Sequence, residues 1–317
     1  MIKDPTVLIL GAGASVPYGF PSGAQLRDMI CVSARGPGKL QSVLQSHAGI
    51  PQEETTDFAR QFHRSQIASI DAFLAKRSEF TSIGKRCIAA ILTEFESPDQ
   101  LEGVDPTEHW YGHLWNVMID GVGKPDDLGT NAIKFISFNY DRSLEHFLHT
   151  ATKYTFGVDD AAAERAWKRL PILHVYGSLG QYHYLPGNGV RQYHPGLTQE
   201  SLSIAAGGIE VIPEARDDSA SFAAAKEWCS EAQRIGFLGF GFDRLNVARL
   251  ALAPITGMRR HERNGSVTIG SPMIVASAFG KTPVEVDGYK ALICPSTGWT
   301  TFSGNCLMTL RSAGILG

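Results

Sequence analysis

"VLILGAGASVPYGFPSGAQL" occupies residues 7–26, and its reading decides the fold. Thr6–Leu10 reads as a buried strand: short, apolar and stopped by glycine. Gly11, Ala12, Gly13 and Ser15 follow, then Gly19 and Pro21. Helical spacing begins only after Ser22, a residue suited to capping a helix over 23–33. A strand that breaks into small residues and re-forms as a helix can hold a phosphate. Glycines at 11 and 13 allow a tight turn and close backbone approach, and the helix would present free N–H groups. The dinucleotide fingerprint G-x-G-x-x-G is incomplete, because residue 16 is valine. No acidic residue closes a second strand about 20 positions on, which argues against a hydride-transfer dehydrogenase.

Outward from this stretch, the period is helical from about residue 40 to 120. Ile67, Ile70, Phe73 and Leu74 share one face; Ile83, Cys87, Ile88, Ile91 and Phe95 share another; Leu114, Trp115 and Met118 form a third stripe. Such stripes are core packing. Residues 132–138 form the next strand and run into "NYDRSLEHFL", helical after Asp141. Residues 170–180 form a third strand ending in a glycine turn, with a long loop over 181–196. Residues 222–232 read as helix, and 234–252 as a fourth strand, glycine turn and helix. Strands alternating with helices predict an α/β fold: a Rossmann-like parallel sheet with helices on both faces, plus a mostly helical insertion. The expected organisation is a core over 1–34 and 131–257, a helical insertion over 35–130, and a β-rich C-terminal extension over 258–317 that offers an oligomer or partner contact.

Composition narrows the function classes. With 317 residues, 43% hydrophobic and 19% charged, the chain can bury a full core. A net charge of −3 gives no global basic excess for nucleic acid, though a local basic patch stays open. Five cysteines at 31, 87, 229, 294 and 306 form no C-x-x-C pair, so neither a disulfide framework nor a zinc ribbon is expected and a cytoplasmic setting fits. No secretory leader and no apolar run long enough to span a membrane is read. The ten histidines show no metal-ligand spacing, and the G-x-S-x-G nucleophile elbow is absent.

In an open parallel sheet, ligands bind beyond the carboxyl ends of the strands. Four passages place small or polar residues there: 11–15, 139–141, 174–178 and 239–243. Asn139 ordinarily caps the helix that follows, or it offers a carboxamide to a pocket. Asp141 is either a first-turn acid favoured by the helix dipole or a pocket carboxylate. His174 and Tyr176 share one face of an extended strand and can reach one cavity.

The order of these motifs resembles the sirtuin-like superfamily, especially the bacterial sirtuin-like NAD+ hydrolases of anti-phage defence. The family's opening motif matches Gly11, Ala12, Gly13, Ser15, Gly19 and Pro21. Its Asn-x-Asp motif matches Asn139 and Asp141. Its His/Gly-Ser motif resembles His174 with Gly177 and Ser178, although Tyr176 holds the place directly before the glycine. Its late strand–glycine segment looks like Gly239, Gly241 and Asp243. The four-cysteine zinc module of the deacylases is missing, and Phe138 stands where they carry glutamine. The resemblance therefore implies an NAD+ glycohydrolase rather than a deacylase or ADP-ribosyltransferase, with NAD+ as substrate, water as acceptor and no metal. It implies that Asn139 orients ribose or water, that Asp141 contacts the nicotinamide carboxamide, and that His174 is the general base, supported by Tyr176. Cleavage passes through an oxocarbenium-like state, and nicotinamide leaves a cationic ring without an acid. The resemblance further implies an effector that depletes NAD+ during infection. Such an effector would be controlled by homo-oligomerisation or by an activating partner such as a hexameric translocase-type ATPase or an Argonaute-like protein. The alternative is a module that binds NAD+ or ADP-ribose without turning it over.

Overall fold

The computed structural model describes residues 1–36, 38–184, 190–194, 196–211, 219–252, 259–263, 266–270, 272–293 and 299–317. Six parallel strands form one sheet: β1 (Thr6–Leu10), β2 (Ile133–Ser137), β3 (Ile172–His174), β4 (Arg234–Leu238), β7 (Met273–Ser277) and β8 (Trp299–Phe302). Their order is β3-β2-β1-β4-β7-β8. An antiparallel hairpin, β5 (Arg259–Arg263) with β6 (Ser266–Gly270), stands apart from it. This is a Rossmann-like sheet, and the direction of strand addition reverses between β1 and β4, where such sheets have their ligand crevice.

β1 sits inside the sheet, and four of its five side chains are apolar. All five residues are buried, paired to β2 on one side and to β4 on the other. Val7, Leu8, Ile9 and Leu10 are 0–3% exposed, and burying each contributes about 1.5–3 kcal/mol. The registers matter for function. Leu10 pairs with Ser137 and with Leu238, and Ser137 pairs with His174. The carboxyl ends of four strands therefore lie at one level, and the residues after them share one rim.

Right-handed crossovers distribute the helices over both faces. α8 (Ser143–Phe156) and α9 (Asp160–Trp167) follow β2; α11 (Ala220–Glu231), α12 (Arg244–Leu250) and α13 (Pro283–Ile293) serve the other direction. Between β1 and β2 every described element is helical: α1 (Gly23–Val32), α2 (Lys39–Ala48), α3 (Gln52–Ser65), α4 (Ile70–Leu74), α5 (Thr81–Thr93), α6 (Pro98–Glu102) and α7 (Trp110–Ile119), with short 3-10 turns. Ser22 caps α1 as its sequence suggests, in a capping box with Gln25. The helical lobe is larger than the 35–130 segment, since α1 packs on α3 and α5, and α10 (Gln199–Gly208) joins α2 and α5 from the later connection.

The C-terminal part also differs from a β-rich extension. β7 and β8 are inner and outer strands of the main sheet, and α13 and α14 (Cys306–Ala313) cover it. A parallel strand needs a partner distant in sequence, so nothing local marks 273–277 and 299–302 as sheet members rather than an appendage. Residues 185–189 and 195 of the expected loop, residues 257 and 258 at the expected boundary, and Cys294 lie outside the described residues. The four described cysteines, Cys31, Cys87, Cys229 and Cys306, are buried and form no disulfide with one another. No described helix is long and apolar enough to cross a membrane.

Candidate active site

At the rim, the turn after β1 packs directly against the turn after β4. Gly11 N–H donates to Leu238 O at 3.0 Å, and Gly13 N–H to Gly239 O at 3.0 Å. A Cβ on Gly11 would stand 2.6 Å from Gly239 O, and one on Gly13 2.9 Å from Gly239 Cα. Gly239 itself has φ +57°, and its Cβ would meet Ala14 N at 2.0 Å. The glycines are thus required by turn-on-turn packing. The helix N-terminus expected beside them lies further along the chain. α1 begins only at Gly23, and its first amides are served by Ser22 and Gln25. Ala14 N–H and Ser15 N–H bond back to Gly11 O and Ala12 O. In this turn Ala12 is the residue whose N–H has no partner among the described residues.

Asn139 stands two residues past β2 and reaches across to that turn. Its Nδ2 lies 2.9 Å from Gly11 O and 3.0 Å from Ser15 Oγ. A carbonyl only accepts, so the atom beside Gly11 O is the amide nitrogen, and the carboxamide orientation follows. Ser15 Oγ accepts from Asn139 and therefore gives its own proton to Asp141 Oδ2, at 2.7 Å. Asp141 Oδ1 accepts from Ser143 N–H at 3.1 Å and from Ser143 Oγ, which pairs in turn with Tyr111 OH at 2.8 Å. The chain of bonds fixes Asn139 and leaves its Oδ1 as an acceptor with no donor among the described residues. Burial pushes the Asp141 carboxyl above its ordinary range, against the pull of Ser143 and Ser15. Asp141 is therefore enclosed by hydroxyls, and it holds Ser15 and Ser143 in place from inside.

His174, expected as the general base, is held at both ring nitrogens. Nδ1 lies 2.8 Å from Asn139 O and Nε2 2.7 Å from Glu145 Oε1. The carbonyl accepts, so Nδ1 carries a proton. Nε2 faces the Glu145 carboxylate, so both ring nitrogens are engaged. Burial opposes a charge on the ring, but Glu145 and the Asn139 carbonyl outweigh burial and the pKa is raised. Neither nitrogen is free to take a proton from water, and the side chain is 13% exposed. The ring clamps the backbone of Asn139 instead. Tyr176 does not share its face. β3 stops at His174, and Gly177 N–H turns back to His174 O. Tyr176 OH points to α12, donating to Asn246 Oδ1 at 2.5 Å and accepting from Arg249 Nη1 at 2.8 Å. Its ring is edge-on to Phe138 and Phe222, and burial raises its pKa to about 12.

The remaining expected residues divide. Gly177 (φ +68°) packs on Gly208, whose carbonyl also takes Ser178 N–H, and Ser178 Oγ donates to Gly180 O. Asp243 is exposed and caps α12 by accepting from Leu245 and Asn246 amides. Gly241 is exposed with no atom near its missing Cβ. Gly19 ends a 3-10 turn at φ +87°, and Pro21 is buried.

Several rim residues have no local sequence signal. Asp71, at the start of α4, accepts from Tyr140 OH at 2.7 Å, and burial raises its pKa. Glu145 is visible only once His174 is placed beside it. Arg142, fully buried, bonds Glu96 through Nε and Nη2 at 2.9 and 2.8 Å and Arg191 O through Nη1 at 2.7 Å. Arg191 also pairs with Glu96, so one carboxylate ties the 139–142 turn to residues 191–192. Among the described residues no group of three or more His, Cys, Asp or Glu is placed to hold a metal ion.

No protein-family model and no curated protein matches the chain. Among solved structures it is similar to a sirtuin described for the structural basis of its substrate affinity, at 16% identity and a TM-score of 0.39, over 97% of this chain and 92% of that one. A Sir2 structure with an inhibitor, 2'-O-acetyl-ADP-ribose and a deacetylated peptide has 15% identity and a TM-score of 0.38, over 98% of this chain and 94% of that one. At those values the likeness fixes neither a family nor an activity.

Proposed function

We propose that the chain is an NAD+ glycohydrolase whose working group is the Asn139 carboxamide. The observation that carries this reading is the pinning of Asn139 Nδ2 by Gly11 O and Ser15 Oγ, which leaves Oδ1 as an acceptor beside the β1/β4 crevice. Oδ1 accepts a hydrogen bond from a ribose hydroxyl or from the attacking water and so fixes its approach. Water oxygen bonds to the ribose carbon, the bond to the nicotinamide nitrogen breaks with its electron pair, and the water's proton passes to solvent. The leaving ring becomes neutral as it departs, so neither an acid nor His174 is needed for that step. Ala12 N–H is the turn's available donor for a phosphate oxygen. The motif order that resembles anti-phage NAD+ hydrolases supports a role as an NAD+-depleting effector in the cytoplasm, held in check by homo-oligomerisation or by an activating partner.

The test is nicotinamide release from NAD+ by the purified protein at several concentrations, beside Asn139→Ala and His174→Ala. Release that Asn139→Ala abolishes supports the reading; release by Asn139→Ala at the wild-type rate refutes it. A second reading has its own support. The engaged nitrogens of His174 and the self-bonded amides of residues 13–15 fit a module that binds NAD+ or ADP-ribose without turnover. It predicts NAD+ binding with no nicotinamide released at any concentration.

A further inference from the structure

In the helical lobe α1 packs on α3, and a cavity of about 530 Å³ between them is bordered by Arg27, Arg35, Arg60 and Arg64, with Asp28 and His63 also in its lining. The spacing is built in on both sides. Arg60 and Arg64 are four apart on α3, so their guanidiniums share a face and repel each other. Arg35 extends the α1 line, eight residues after Arg27. Four guanidiniums gather here beside two carboxylates, Asp28 and Asp57. Arg27 meets Asp28 at 3.2 Å and Arg60 meets Asp57 at 3.6 Å, whereas Arg35 and Arg64 have no acidic partner among the described residues.

Arg27 is the fixed member. Its Nε donates to Ile67 O at 2.8 Å and its guanidinium stands over the Phe62 ring, leaving the side chain 17% exposed. The other three are exposed and turn toward the same space. Val32, 59% exposed, adds an apolar wall. Planar guanidiniums match phosphate oxygens two at a time, and several of them exceed what one carboxylate can neutralise. The cavity has the size of sites that hold a compact ligand rather than a long strand.

We propose that this groove is a binding site for a nucleoside polyphosphate, its phosphates on Arg35, Arg60 and Arg64 and its apolar part against Val32. The site is separate from the NAD+ reading and does not depend on it.

The test is calorimetric titration of the full chain with ATP, inorganic triphosphate and adenosine, at about 50 and 300 mM salt. ATP binds, triphosphate binds more weakly, adenosine fails, and affinity falls with salt. The double variant Arg60→Ala/Arg64→Ala changes exposed positions and keeps the fold; it weakens ATP by about tenfold or more. Asn139→Ala binds ATP like wild type, which separates this groove from the rim. Unchanged ATP affinity in the double variant, or no ATP binding at millimolar concentration, overturns the proposal. A single-stranded oligonucleotide that binds while ATP does not overturns it in favour of a nucleic-acid contact.

Discussion

Gly239→Ala and Gly241→Ala are two substitutions, two residues apart, that the structure separates sharply. At 239 the backbone has φ +57°, and a methyl group would stand 2.0 Å from Ala14 N, 2.2 Å from Gly13 C and 2.6 Å from Gly13 Cα. These are backbone atoms, so no side chain can rotate away. The left-handed conformation costs a non-glycine residue about 1 kcal/mol or more. Forcing the two turns apart adds roughly 1–3 kcal/mol of overpacking strain. The Gly13 N–H to Gly239 O bond is then stretched or lost, at about 1 kcal/mol. A stiffer unfolded chain returns about 0.4–1 kcal/mol. The net loss is about 2–5 kcal/mol, or roughly 3–7 °C in melting temperature for a chain of this length. At 241 nothing lies within 4 Å and φ is not left-handed, so Gly241→Ala is neutral or stabilising by a few tenths of a kcal/mol. Denaturant unfolding of both variants is the assay. Equal midpoints, or Gly241→Ala as the more damaging change, refute the claim that turn-on-turn packing explains these glycines.

Three further outcomes follow from the same geometry. Ser15→Ala strands Asp141 Oδ2 and one Asn139 N–H in a buried place, costing about 1–3 kcal/mol by denaturant midpoint; a loss within error contradicts the relay. Glu96→Ala leaves two buried guanidiniums uncompensated and costs roughly 3–5 kcal/mol, which thermal unfolding reads. The raised pKa of His174 stabilises the fold fully below its ordinary 6.5, and that contribution is lost as pH rises through the folded value. Unfolding free energies across that interval therefore decline with pH in the wild type, and Glu145→Gln flattens the decline.

The central strands were legible because burial on both faces writes itself as an apolar run: Thr6–Leu10 was readable to the residue, and β2 and β4 nearly so. Ser22 was legible because a cap is local chemistry. Asn139 and Asp141 were legible as residues just past a strand. What they bond was not, because Gly11, Ser15 and Ser143 come together only when β1 and β2 pair. β3 shows the limit most clearly. An apolar run over 170–180 promised an extended strand with His174 and Tyr176 side by side. The ladder to β2 ends at Ser137, however, so the chain turns at Val175 and sends the two rings to different helices. α9, with the alanine-rich sequence Asp160–Trp167, carries no apolar stripe to announce it. Asp71 lies on a helix that the stripe of Ile70, Phe73 and Leu74 announces, but nothing in that stripe marks Asp71 itself as a partner of Tyr140.

The clamped His174 changes how labour is divided at the rim. A general base contributes typically 10²–10⁴ in rate, and both His174 nitrogens are already hydrogen-bonded, to Glu145 and to the Asn139 carbonyl. What His174 supplies is direction. Asn139 is held at its backbone carbonyl by His174 and at its carboxamide by Gly11 and Ser15. The Asn139 side chain is therefore fixed from both ends, and its Oδ1 cannot swing away. Orientation is the form of help an N-glycosidic bond to a cationic ring most needs, because the leaving group departs without a proton and the developing ribose cation is met by any well-placed water. Loss of His174 and loss of Asn139 should then damage the same property, the position of one carboxamide oxygen, rather than two separate chemical steps.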